Sequence, residues 1–200
     1  MQEQEELFQE AKYLGISAIL LALASESGFL HLIPLLTTPG WKRFVGKKIC
    51  LPINDPVVIS IFIALGLSTF FYFFLLYLSM RKIGKAMNNF SFSTYIGASA
   101  LAFPFLLISS ILRGIAFKSL GRHLKAIYFT IAGYIYLFIS LYSFVIFIVK
   151  LNKHDFIISF PAGDTITHFL SLLASAFLLL GFLNLTESLK TLGYNRIMHE

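Results

Sequence analysis

The sequence predicts an all-α fold, a polytopic transmembrane helix bundle of about five spans. Three observations predict it. Five long, almost uncharged stretches fill most of the 200 residues. The mean hydropathy is +0.78 with 57% hydrophobic residues, values outside the range of ordinary soluble domains. Charged residues are only 13% of the chain and fall between the apolar stretches, whereas a soluble helical protein spreads its charges along helix faces.

The predicted spans are 13–36, 57–79, 93–112, 126–149 and 165–186. Each holds about 20 residues or more, the length that crosses ~30 Å of hydrocarbon as a helix. No stretch between them is long enough for a separate soluble domain, so the chain reads as one membrane domain. The first twelve residues carry four Glu and one Lys. A cleaved signal peptide has a basic start and a shorter apolar region, so the first span is expected to be retained.

The first span is interrupted. Its early part places Ala18 and Ala22 on one face, but Ser25, Glu26, Ser27 and Gly28 break the apolar run, and His31 and Pro34 follow. Pro34 cannot donate a backbone hydrogen bond to residue 30 and crowds its carbonyl, which predicts a bend. Two architectures fit: a kinked full-length span, and a broken helix that enters and turns back. The apolar length favours the span.

Asn54, Asp55 and Pro56 open the second span, with Asp55 placed to cap free N–H groups and Pro56 at the first helical position. Ser60, Ala64 and Ser68 repeat every four residues, a spacing of small side chains that lets two helices approach closely in lipid. Ser171 and Ser175 form a similar face in the fifth span. The third span has Pro104 near its middle and ends at Arg113. Residues 113–125 are short and basic, and the expectation is an amphipathic interfacial helix with Ile115, Leu120 and Leu124 facing the lipid. Met80–Lys85 (MRKIGK) and Phe117–Arg122 (FKSLGR) are similar. A duplicated unit explains this, and so does the common preference of helix ends for cations and glycine.

A net charge of +6 could suggest nucleic acid, but the sixteen Lys and Arg sit beside span ends, where they set topology and meet lipid headgroups. The expected partners are the lipid bilayer and other membrane subunits or further copies of the chain, with no nucleic acid. An odd number of spans puts the termini on opposite sides. The side of the C-terminus then carries ten of the sixteen cations, which predicts a plasma-membrane protein with its N-terminus outside and its C-terminus cytoplasmic.

Glu26 is the principal candidate for chemistry. A carboxylate inside a bilayer is costly and usually faces the bundle interior, often for function. Its expected role is proton or cation handling in a polar site with Ser25, Ser27 and His31. The alternative is a protonated, hydrogen-bonded Glu with a structural role. A b-type haem needs two histidines at similar depth on facing helices. His31 falls late in the first span and His168 early in the parallel fifth span, so the depths do not match, and no cofactor is expected. Cys50 is alone, so an intrachain disulfide or cysteine-based metal site is excluded, and no metal site is expected. Tyr134, Tyr136 and Tyr142 read as packing residues or as the lining of a quinone or lipid pocket.

The run Ala11–Leu20 (AKYLGISAIL) and the basic turn Met80–Lys85 resemble a family of small archaeal multi-span membrane proteins of unknown function. Those proteins open with Lys-x-Leu-Gly-Gly, and Ile16 stands here in place of the second glycine. The resemblance implies an archaeal-type plasma-membrane protein and transfers no site residue. The functional expectation is an accessory or scaffold subunit without a catalytic site. The alternatives are a small transporter or proton-coupled channel using Glu26, and a haem- or quinone-binding membrane anchor.

Overall fold

The computed structural model describes residues 2–36, 56–102, 106–152 and 165–188, with side chains described for nearly all of 3–24, 63–102, 107–146 and 166–188. These residues form six helices: α1 (Gln2–Leu36), α2 (Pro56–Met87), α3 (Ser91–Leu101), α4 (Leu106–His123), α5 (Ile127–Asn152) and α6 (Thr165–Leu183). Two helical stretches among the described residues, Glu3–Ala24 and Ile127–Ile146, are long and apolar enough to cross a membrane, and Phe169–Leu183 is a shorter apolar helix.

Each helix runs antiparallel to its neighbour in sequence. Along α1 and α2 the Ser79 hydroxyl donates to the Ala11 carbonyl at 2.7 Å, and the Gln4 side-chain amide donates to the Ala86 carbonyl at 3.2 Å. Lys82 pairs with Glu10, and Lys85 with Glu3 at 3.3 Å. These pairs keep the acidic start of the chain on the helix. The first helix therefore begins at Gln2 and not near residue 13, because the early carboxylates lie against the cations that end α2. α1 also continues unbroken to Leu36, so the segment does not turn back on itself. The two ion pairs are largely exposed and worth less than about 1 kcal/mol each. The Ser79 bond is fully buried. Ser79→Ala is expected to cost about 1 kcal/mol in reversible unfolding in mild detergent, and Glu10→Gln only a few tenths. Equal losses in the two variants would reverse that ranking.

α3 and α4 form a hairpin, and this corrects the expected third span. The Ser99 hydroxyl donates to the Ser109 carbonyl and the Ser109 hydroxyl to the Ser99 carbonyl, both at 3.0 Å, with the two oxygens 2.9 Å apart. At the other end of the pair the rings of Phe92 and His123 meet at 5.4 Å. Residues 93–112 thus reverse direction between Leu101 and Leu106 and do not make one crossing. The sequence-level cause is Pro104, which removes a helical donor and disfavours the helical conformation in the residue before it. With 11 residues, α3 extends only ~16 Å.

The expected interfacial helix at 113–125 is also corrected. It is the second half of α4, where Leu120 and Leu124 are fully buried in the bundle and Ile115 faces outward. α5 packs along α4, and Phe129 meets Phe182 of α6 edge-on at 5.1 Å. The main contacts run from each helix to the next, and α6 closes the ring by returning to α1, where Phe182 fills the space above Gly15. The alternation places the start of α1 and the end of α6 at the same end of the bundle. The expectation of opposed termini assumed a single crossing at 93–112, and the hairpin removes it.

The turns after α2 and α4 share one design. Asn88 and Lys125 adopt left-handed backbone (φ 52° and 51°). The N–H of Asn89 bonds to the Gly84 carbonyl at 2.8 Å, and that of Ala126 to the Gly121 carbonyl at 2.9 Å. The similarity of Met80–Lys85 to Phe117–Arg122 is thus two copies of one helix-ending motif, in which a left-handed residue lets two N–H groups reach back to orphan carbonyls.

Candidate functional site: a cation inside the bundle

The interior is small and polar in places while the exterior is apolar. Ser79, Ser99, Ser109, Ser110, Ser140 and Ser175 are buried. Phe70, Phe138, Leu141 and Phe169 are more than half exposed, and Leu101 is 87% exposed. The tightest helix pair is α4–α5. A Cβ on Gly133 would stand 2.5 Å from the Lys118 nitrogen and 2.8 Å from the Gly114 carbonyl oxygen, so the two backbones touch there.

Arg113 lies in this region, eight residues into α4 and partly buried. Its guanidinium carbon sits 4.5 Å from the centroid of the Tyr136 ring and 5.7 Å from that of Phe73. An Nη2 donor reaches the Ser110 hydroxyl at 3.5 Å. Tyr136 and Phe73 are both buried, so the cation is held between α2 and α5 within the aromatic interior. The rings continue as a stack. Phe117 lies 5.9 Å from Tyr136 and 6.5 Å from Phe129, each nearly parallel to it. Arginine stays protonated in proteins, so this site can orient or neutralise an anionic group but cannot itself pass a proton. Sequence reasoning missed the role of Arg113, reading it as a cation that closes a span. The available signal was Pro104: a helix starting after it puts Arg113 in its interior.

The other predicted site residues divide. Glu26, His31, Ser25 and Ser27 fall on α1, but their side chains lie outside the described residues, as does that of Ser60. Of the packing faces, Ala64 is exposed and Ser68 partly buried, whereas Ser175 is buried and Ser171 partly so. Tyr136 is in the core, Tyr142 is partly buried, and Tyr134 is 51% exposed on the outer face. His123 ends α4, where its Nδ1–H donates to the Ser119 carbonyl at 2.8 Å. The side chains of His154 and His168 lie outside the described residues. Among the described residues, no cluster of three His, Cys, Asp or Glu could hold a metal ion.

No family model, curated protein or solved structure matches the chain. The functional reading therefore rests on its own geometry.

Proposed function

We propose that the chain is a multi-pass plasma-membrane protein acting as an accessory or scaffold subunit packed against other membrane chains. The observation that carries the reading is the inverted surface: large apolar side chains outside, serines and an arginine inside. In water, such contiguous exposed apolar area favours association, whereas against lipid tails it costs nothing. The outward face of α2 supports a packing role. Ala64 is exposed one turn before the partly buried Ser68, so another helix can come close along that face. In this reading the polar end at the α1 start carries Lys12, Arg81, Lys82, Lys85, Lys118, Arg122 and Lys125, with Lys190 and Arg196 following α6; Arg113 is interior and is left out of the tally. The opposite side has Lys42, Arg43, Lys47, Lys48, Lys150 and Lys153. Nine cations against six put both termini in the cytoplasm.

A second reading is a small transporter or proton-coupled channel, and Arg113 is the observation that favours it. A charged residue inside a membrane bundle marks a candidate pathway, and half-length helices like the 11-residue α3 line such pathways in transporters.

One preparation separates the two. The protein is extracted from native membranes in mild detergent and its companions are identified by mass spectrometry. The expected result is retention in carbonate-washed membranes and recovery with stoichiometric membrane partners. Recovery as a lone chain whose liposome fluxes of protons or small anions vanish in Arg113→Gln would replace the subunit reading with the transporter. Loss from carbonate-washed membranes would remove both.

A further inference from the structure

We infer that the α4–α5–α6 corner of the bundle holds an anionic phospholipid, its phosphate on Lys118, Arg122 and Lys125 and one chain in the groove below Tyr134. The inference rests on the membrane reading above and adds a specific ligand site to it.

The cations come first. Lys118 and Arg122 lie one turn apart on one face at the end of α4, and Lys125 follows in the turn that ends it. Arg122 and Lys125 are exposed and Lys118 is partly buried. No Asp or Glu occurs anywhere in 56–154, so α2 to α5 supply no carboxylate, and α6 has none. Of the α1 acids, Glu10 and Glu3 meet Lys82 and Lys85, Glu5 and Glu6 are exposed, and Glu187 follows α6. Among the described residues, none of the three cations is in an ion pair. Polar end and cations coincide, as a headgroup site requires.

The groove comes second. Ile131, Tyr134, Ile135, Phe138 and Leu170 line a shallow, open apolar groove of about 480 Å³ between α5 and α6. It starts one turn into α5 and runs away from the polar end, so a chain lying in it descends from a headgroup at the α4 terminus. Tyr134 joins the two parts. Its ring lines the groove and carries the Lys118 ammonium 4.7 Å from its centroid. That contact fixes the end of a long flexible side chain at the mouth of the groove. An anionic lipid matches both halves at once, whereas a zwitterionic lipid matches only the groove and free phosphate only the cations.

The test uses the full chain purified in neutral detergent, with unfolding followed by circular dichroism. Phosphatidylglycerol is expected to raise Tm by ~5 °C and phosphatidylcholine by much less. Inorganic phosphate at equal concentration is expected to do little. The Lys118→Gln/Arg122→Gln/Lys125→Gln variant should lose the phosphatidylglycerol shift. Leu170→Trp, which fills the groove and leaves the cations in place, should weaken it. Should the triple variant not fold, native mass spectrometry of the wild-type protein and of Leu170→Trp decides: one retained phosphatidylglycerol on the first and fewer on the second supports the site. Equal shifts from the two lipids, a full shift from phosphate alone, or a triple variant that keeps the shift would overturn it. Retention in carbonate-washed membranes is scored on the same protein, so a membrane-resident chain indifferent to phosphatidylglycerol removes this inference alone.

Discussion

Gly133→Ala is expected to lower the stability of the bundle by about 3 kcal/mol. Two terms oppose each other. Alanine is better than glycine inside a helix by ~1 kcal/mol, which alone would stabilise α5. Against this, the new methyl would stand 2.5 Å from the Lys118 nitrogen, 2.8 Å from the Gly114 carbonyl oxygen and 2.9 Å from the Lys118 Cα. All three are backbone atoms, so no side chain can rotate away, and α4 and α5 must separate along their length. Separation also disturbs the stack of Phe117 on Tyr136 and Phe129 and the seat of Arg113. Gly66→Ala is the control. Nothing lies within 4 Å of a Cβ there, so only the helix preference acts and the variant should be neutral or slightly more stable. Reversible unfolding of both in the same detergent gives the comparison. Similar stabilities would mean that the α4–α5 contact is not close.

Reporter fusions at the two ends are expected to give the same answer, both cytoplasmic. This outcome is binary and separates the hairpin from a single crossing. With α3 and α4 antiparallel, α2 ends and α5 begins at the polar end, and the count of crossings is even. If 93–112 crossed once, the count would be odd and one reporter would fall outside. A cysteine pair, Ser99→Cys with Ser109→Cys in a Cys50→Ala background, checks the same point. The native hydroxyl oxygens are 2.9 Å apart, so mild oxidation should link the two positions. Opposed reporters would overturn the hairpin and the side assigned to the termini.

The helical class and the rough place of each apolar segment were legible because hydropathy and length are summed over twenty residues and tolerate local errors. The small-residue signal at Ala18 was also legible, and the residue is fully buried. Three features were not. The acidic start of α1 was left outside the first span, since its Glu3 and Glu10 gain partners only when α2 returns beside them. Pro104 was visible, but a proline kinks or reverses a helix according to what packs on either side, and the Ser99–Ser109 clasp is a tertiary fact. Gly114, Gly121 and Gly133 were present as letters. Their meaning depends on α4 and α5 facing each other, which segment-by-segment reading does not supply. Arg113 followed from the same error: placing the end of the span at residue 112 turned an interior cation into a boundary marker. The side chains of Glu26, Ser25, Ser27 and His31 lie outside the described residues, so the expected polar site on α1 stays a proposal for mutagenesis.

The ring of neighbours bears on how the chain is assembled during synthesis. Every main contact but one joins helices that emerge consecutively, so each new helix finds its partner already waiting. The exception is the seam between α1 and α6, where Phe182 covers Gly15. That flank of the first helix stays bare until nearly the whole chain has left the ribosome. A protein cut short before α6 would therefore present an open apolar strip with a glycine notch, a mark by which quality control can tell an unfinished copy from a finished one.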